Sequence, residues 1–246
     1  MHWLLPELKG ARVLMYQHIW PVADHFAVTP KQLDEQFSYL HKNGYKTIFA
    51  SALINAIFEE RDLASKTIVL TFDNGYRNQV EFVEPLLEKY GFCASLFLNG
   101  EKVMMGNSST NGTKQSYLMA ENIRKADPTL FEFGMNGYGS RSFAEMNEEQ
   151  IRSDILMNRQ IFSAMNLSVI PVFAYPSHIE LDDRIKIDQC KRIMRQCGIL
   201  AAFRKQNGSV SFPVKDIFEL KRIGINGFDD LKRFKIKLKR GRVNIF

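Results

Sequence analysis

The sequence alternates between short apolar runs rich in β-branched residues and longer amphipathic stretches. The predicted strands span 12–19, 46–50, 67–73, 93–98, 130–135, 169–176, 199–204 and 218–225. The predicted helices span 29–44, 51–61, 79–91, 118–127, 147–166 and 184–198, and 99–116 is a long polar loop. Such alternation is typical of βαβ units and a largely parallel sheet. About seven units in one chain favour a single α/β barrel domain over 1–246.

Composition and motifs exclude several protein classes. The chain has 246 residues, 45% apolar and 24% charged, which is globular composition. No apolar run reaches the roughly 18 residues of a membrane span, and we expect no signal peptide at the N-terminus. Three cysteines make no disulfide framework. We therefore expect a cytoplasmic protein, with peripheral association at the inner membrane face as an alternative. Dinucleotide, Walker and G-x-S-x-G motifs are absent.

Positive charge is concentrated near the C-terminus. The basic tail 232–242 (KRFKIKLKRGR) holds seven Lys and Arg and no acid, within a chain of net charge +6. One interpretation is a solvated final helix or strand edge. The other is a patch for an anionic membrane surface or an anionic glycan carrier. Nucleic acid is not expected, because aromatic residues are nearly absent from this tail and no binding motif occurs elsewhere.

One predicted strand ends in a carboxylate. In TIVLTFDNGYRNQ (67–79) the apolar run reaches Asp73, and Asn74 and Gly75 follow as a turn dipeptide. In parallel barrels the chemistry lies where strands end and loops begin. The strand is therefore expected to deliver Asp73 to a site.

Segments at the other predicted strand ends carry a resemblance. They are VLMYQHIWP (13–21), VLTFDNGYRN (69–78), YLMAENIRKADPTLFEFGMNGYGSRSF (117–143), VFAYPSH (172–178) and FELKRIGINGFDDLKRFKIKL (218–238). In this order they resemble the motifs of the polysaccharide deacetylase family (NodB homology, carbohydrate esterase 4). The resemblance covers nearly the whole chain. It implies a distorted (β/α)7 TIM-like barrel of the NodB-homology type.

The resemblance also implies a metal centre that this sequence lacks. The family holds zinc or another divalent metal with one carboxylate and two imidazoles, and an Asp acts as general base. Asp73 matches that base, but the ligand positions fall on Asn74, Asn136 and Ser140. Neutral amides and a hydroxyl are weak zinc ligands that bring no negative charge. We therefore expect no metal and no other cofactor. A relocated site built from His18, His178 and Asp73 stays an alternative.

The remaining groove offers groups that suit a carbohydrate. Aromatic rings on the rim loops, with neutral amides and a hydroxyl, are expected to bind sugar rings, and Arg77 to pair with Asp73 or an acidic sugar. These substrate-binding candidates are Asn74, Arg77, Asn136, Tyr138, Ser140, Tyr175 and His178, with Tyr76 as a further rim tyrosine. For each tyrosine, packing under a loop is the other interpretation.

Three functions follow from these patterns. The first is a catalytically degenerate deacetylase-like protein of carbohydrate metabolism or surface-glycan biosynthesis, which binds a glycan or a partner. The second is an active hydrolase of N-acetyl groups on amino sugars, with Asp73 as base and an atypical or absent metal. The third is a membrane-associated scaffold that docks through the basic tail.

Overall fold

The computed structural model describes residues 10–106, 116–139, 141–176 and 183–241. The strands in these residues are β1 (Arg12–Tyr16), β2 (His18–Ile19), β3 (Ala27–Val28), β4 (Lys46–Thr47), β5 (Thr67–Asn74), β6 (Ala94–Asn99), β7 (Phe131–Asn136), β8 (Val172–Ala174), β9 (Ala201–Arg204), β10 (Leu220–Lys221) and β11 (Ile223–Gly224). The helices are α1 (Pro30–Lys42), α2 (Ala50–Phe58), α3 (Arg77–Glu81), α4 (Glu84–Tyr90), α5 (Gly100–Met105), α6 (Ala120–Lys125), α7 (Glu148–Ala164), α8 (Arg184–Gln196) and α9 (Leu231–Arg240).

The main sheet nearly closes on itself as a barrel. Its strand order is β10-β9-β8-β7-β6-β5-β1-β11, with β4 added beside β5, and all these pairs are parallel. The two ends of this order, β10 and β11, are one strand interrupted only at Arg222. Residues 220–224 therefore join both ends of the sheet. Counting them once gives seven barrel positions, so the predicted distorted (β/α)7 barrel is confirmed.

Strand alternation divides the core into two layers. Side chains at every second position of a strand share a face. On β5, Ile68, Leu70 and Phe72 pack in the layer between the sheet and the helices. Val69 packs with Phe97 and Phe203 in the second layer, inside the barrel. Asp73 has the same parity as Val69, so it belongs to the interior face.

Helix boundaries follow local sequence signals. Thr29 is the N-cap of α1 and Asn147 is the N-cap of α7, as the sequence predicts. Each forms a capping box with the residue three positions later. The structure describes no helix that is both long and apolar enough to cross a membrane.

Four sequence predictions of local structure were wrong in detail. The predicted strand 12–19 divides at Gln17, and 218–225 divides at Arg222. The predicted helix 79–91 is two helices, because Pro85 lacks a backbone N–H and is accommodated in the first turn of a new helix, α4. The predicted loop 99–116 begins with α5, since the Asn99 side chain caps it by accepting from the Lys102 N–H at 3.1 Å. Residues 107–115 of that loop lie outside the described residues.

A charged cluster lies before β10. The Glu219 carboxylate accepts from Arg184 at 3.0 Å, from Arg204 at 2.7 Å and from Lys191. The Lys191 side chain is buried and also donates to Asp216 at 2.7 Å. Burial acts to raise the pKa of Glu219, but Lys191, Arg204 and Arg184 outweigh it and lower that pKa.

The lowered pKa of Glu219 predicts a contribution to acid unfolding. A carboxyl whose pKa is lower in the folded state than in the unfolded state stabilises the fold. This stabilisation is fully present at pH values above the ordinary pKa of 4.5, and it is lost as the pH falls through the pKa of the folded state. We expect the urea midpoint of the Glu219→Gln variant to fall less than the wild-type midpoint between pH 7 and about pH 3. The exposed Glu149→Gln serves as control. Equal acid dependence of wild type and Glu219→Gln would contradict this prediction.

Candidate functional site

The candidate site lies at the carboxyl ends of β5, β6 and β7. The sheet register pairs Asp73 with Phe97, Asn74 with Leu98, and Asn99 with Asn136. Asp73, Asn74 and Asn136 are therefore at one edge, as the strand pattern predicts. Two strand spacings separate β5 from β7, roughly 10 Å.

Asp73 is locked in an ion pair inside the barrel. Arg222 donates from one guanidinium nitrogen to Oδ1 at 2.6 Å and from the other to Oδ2 at 2.8 Å. Both side chains are buried, with Arg222 0% and Asp73 1% exposed. Arg222 also lies over the Phe97 ring, 5.8 Å from its centroid. A buried charge needs such a partner, because neither ion has water to solvate it.

Asn74 makes the turn out of the strand. Its φ is +76°, a left-handed conformation that asparagine tolerates better than most residues. Gly75 continues the turn at φ +71°, where an added Cβ would lie 2.8 Å from the Leu98 side chain. Gln79 closes the turn, because its side-chain amide donates to the carbonyls of Asp73, at 2.6 Å, and of Gln17.

Asn136 ends β7 with its amide already engaged. The side chain is 2% exposed, and its Nδ2 donates to the carbonyl of Ala174 on β8 at 3.2 Å. Its own carbonyl accepts from Nδ2 of Asn158 at 2.7 Å. Asn136 therefore ties β7 to β8 and to α7.

Asp154 on α7 holds the loop after β7. Its carboxylate accepts from the N–H of Tyr138 at 2.9 Å and of Gly139 at 3.0 Å. Burial raises the pKa of Asp154, these two N–H groups act to lower it, and the nearby Glu101 adds to the rise. The loop is also joined to α5, since the Glu101 N–H donates to the Tyr138 carbonyl at 3.2 Å. The Tyr138 side chain stays half-buried at the edge.

Three rings form an aromatic column beside Asp73. The centroids of His18 and Tyr76 are 3.7 Å apart, and Tyr76 stacks on Tyr117 at 4.8 Å. Burial first, then Tyr117 and the charge of Asp73, raise the pKa of Tyr76 above its ordinary 10. Tyr76 therefore stays protonated at neutral pH.

The structure changes the interpretation of two predicted residues and leaves two others untested. Arg77 pairs with Glu81, with 2.6 Å between Nε and Oε1, and the residue that pairs with Asp73 is Arg222. Tyr175 is 4% exposed and packs on Phe143 and Phe173, so its predicted place on the rim is wrong. The reason is strand parity, since Phe173 and Tyr175 share the face toward the helices. Ser140 and His178 lie outside the described residues.

The described residues do not fit a catalytic zinc ion. Asn74 and Asn136 bring neutral amides, and the charge of Asp73 is already compensated by Arg222. Zinc prefers thiolate, imidazole and carboxylate ligands. Over the described ranges, no three residues among His, Cys, Asp and Glu are grouped so that they could hold a metal. His18 stacks on Tyr76.

Sequence reasoning missed Arg222 and Asp154. Arg222 had a usable signal, a charged residue between the apolar Leu220 and Ile223 of a predicted strand. Nothing in the sequence links it to Asp73, which is 149 positions away. Asp154 had no such signal, because an acid on a helix is usually solvated.

A separate cavity of about 590 Å³ lies between α8 and residues 206–221. Arg184, Lys191 and Glu219 are among its lining residues. None of the predicted site residues that the structure describes is among its lining residues, so within the described residues it is separate from the carboxyl-edge site.

Comparison with known proteins supports the same fold and family. The family model described as polysaccharide deacetylase matches residues 60–198, more than half of the chain. The protein YxkH of Bacillus subtilis (strain 168) is 22% identical over 71% of this chain. A segment of 68 residues is 34% identical to the poly-β-1,6-N-acetyl-D-glucosamine N-deacetylase of Escherichia coli (strain K12). The chain spans 59% of the length of YxkH, and this segment spans 10% of the E. coli protein.

Solved structures share the fold at low sequence identity. The Streptococcus pyogenes deacetylase PplD, in complex with acetate, superposes with a TM-score of 0.78 at 17% identity, over 95% of this chain and 99% of its own. The de-N-acetylase of Aggregatibacter actinomycetemcomitans superposes with a TM-score of 0.73 at 16% identity. The match covers 92% of this chain and 98% of that protein's chain. These similarities concern the fold.

The Asp73–Arg222 pair predicts a large stability loss when one partner is removed. We expect Asp73→Asn to lower the free energy of unfolding by about 3–5 kcal/mol, because it leaves Arg222 buried without a counter-charge. The double variant Asp73→Leu with Arg222→Met removes both charges and is expected to recover much of that loss. Urea unfolding measures both. A single variant that costs under about 1 kcal/mol would contradict the role of the pair.

Proposed function

The chain belongs to the polysaccharide deacetylase family, and we propose that it binds a glycan at the carboxyl edge of its barrel without a catalytic metal. The donor set at the family's ligand positions carries this proposal. Asn74 and Asn136 are amides, and the Nδ2 of Asn136 is committed to a main-chain carbonyl. Amides hydrogen-bond sugar hydroxyl and acetamide groups, a role that falls here to the less buried Asn74, and neither amide offsets the charge of a divalent ion.

The surroundings of these amides suit a carbohydrate. Tyr138 stands half-buried on a loop fixed by Asp154, and Tyr76 and Tyr117 stack close by. Aromatic faces beside a few fixed polar groups are typical of ligand sites. The E. coli relative is named for poly-β-1,6-N-acetyl-D-glucosamine. We propose an N-acetylglucosamine glycan as the ligand class.

Hydrolysis with Asp73 as a metal-free base has no comparable support. The Asp73 side chain is 1% exposed, and both of its oxygens accept from Arg222. Water that no metal activates keeps a pKa far above neutral, so a carboxylate base has little driving force to deprotonate it. Binding without turnover is therefore the function we propose.

One test of the proposed function measures zinc retention and acetate release. We expect protein without a histidine tag, loaded with excess zinc and then gel-filtered, to retain substoichiometric zinc. We also expect it to release no acetate from N-acetylglucosamine oligomers, because the ligand positions are not anionic. Elemental analysis and an acetate assay measure these outcomes.

A rebuilt variant provides the positive control. Asn74→Asp, Asn136→His and Ser140→His together restore the ligand types that the family places there, and are expected to raise zinc retention. Circular dichroism checks that this variant folds. Stoichiometric zinc or acetate release by the unaltered chain would overturn the proposal.

A further test of the proposed function measures glycan binding. We expect a β-1,6-linked N-acetylglucosamine oligomer to bind the unaltered chain, and Tyr138→Ala to weaken its Kd about tenfold, which corresponds to about 1.4 kcal/mol. Tyr90→Ala is the matched control, since Tyr90 is also half-buried but lies on α4 and bonds Asp34. Isothermal titration calorimetry measures the Kd. An equal loss in both variants, or no binding, would count against the glycan site.

A further inference from the structure

Three large apolar side chains are exposed on the loops that follow β2 and β11. Val22 is 69%, Phe26 45% and Phe228 59% exposed. Single exposed apolar residues are ordinary, whereas a group of them at one place marks an interaction surface. We call these three residues the rim patch.

The two loops of the rim patch are locked together. The Gly227 N–H donates to the Asp24 carbonyl at 3.0 Å, and a Cβ on Gly227 would lie 2.1 Å from the Ala27 carbonyl oxygen. The Asp24 carboxylate holds its own loop by accepting from the N–H of Phe26 and of Ala27, each at 2.7 Å. Phe26 and Phe228 are therefore presented by a fixed backbone rather than by loose loops.

Cations lie on the two helices next to the rim patch. Arg233 donates to the Phe228 carbonyl at 3.3 Å, and Lys232 beside it is exposed. Lys31 is exposed in the first turn of α1, whose Gln32 side chain donates to the Gly227 carbonyl at 2.8 Å. The patch therefore has positive charge on two sides.

The nearby acids are occupied by the chain itself. Asp229 pairs with Lys237, with 2.5 Å between the two charged atoms. Asp230 caps α9 by accepting from the Arg233 N–H at 2.7 Å, and Asp24 binds its own loop. The α9 sequence itself contains no acid, and its buried residues Phe234 and Leu238 turn the basic side outward.

We propose that the rim patch and the first turn of α9 dock on the surface of an anionic lipid bilayer. Apolar side chains flanked by Lys and Arg insert at the headgroup boundary, while the cations are attracted to anionic lipids. A second copy of this chain fits less well, because apposed patches would bring two basic α9 helices together. Since the patch lies at the carboxyl edge, docking turns the candidate site toward the membrane. The proposal does not depend on glycan binding.

Vesicle co-sedimentation of the full chain tests this proposal. We expect binding to vesicles of phosphatidylcholine with phosphatidylglycerol, little binding to phosphatidylcholine alone, and weakening by salt. The double variant Phe26→Ser with Phe228→Ser is expected to lose at least tenfold in partitioning. The double variant Lys232→Glu with Arg233→Glu is expected to show an equal loss in vesicle partitioning. Charge reversal is preferred to deletion of α9, because Phe234 and Leu238 are part of the core.

Matched variants distinguish binding through the rim patch from non-specific binding to vesicles. Phe58→Ser removes a phenylalanine of 58% exposure at the end of α2, and is expected to bind like the unaltered chain. Lys239→Glu with Arg240→Glu reverses charge at the far end of α9, and is expected to lose less than the Lys232 and Arg233 pair. The proposal is overturned if Phe58→Ser loses as much vesicle partitioning as Phe26→Ser with Phe228→Ser. It is also overturned if Phe26→Ser with Phe228→Ser loses none. A dimer, seen by light scattering, that the rim-patch variant dissociates overturns it as well.

Discussion

The buried Asp73–Arg222 ion pair is the interaction on which the barrel and its site depend. Arg222 interrupts the strand that joins both ends of the sheet, and Asp73 lies one residue before the end of β5, with β1 between the two strands. A bidentate pair fixes distance and orientation together. Barrel closure and the position of the β5 carboxyl end are therefore coupled through one contact between residues 149 positions apart.

The same pair sets the electrostatics of the carboxyl edge. With Asp73 compensated, the described groups at the family's ligand positions are the amides of Asn74 and Asn136. The edge combines polar and aromatic groups, while its matched positions lack ligands that zinc prefers. Asp154 preserves the loop after β7 by holding two backbone N–H groups, a role that needs no metal.

The carboxyl edge also carries the rim patch. Loops after strands are free to vary while the barrel beneath them stays rigid, which is why function concentrates there. Here one part of the edge presents amides and tyrosines, and a neighbouring part presents phenylalanines beside a basic helix. The proposed lipid-docking surface and the proposed glycan site are compatible on one edge.

The sequence by itself determined the alternation of strands and helices, the capped starts of α1 and α7, and the polar residues at strand ends. Periodicity, capping and residue type are local properties, so they can be read along the chain. The sequence pattern placed Tyr175 on the rim and offered Arg77 as a partner for Asp73 or for an acidic sugar. These predictions were less secure because the face of a side chain and its partner are not local properties. Tertiary structure alone decided that Arg222 holds Asp73 and that the loop of Phe26 lies against the loop of Phe228, since closing the sheet brings distant segments together.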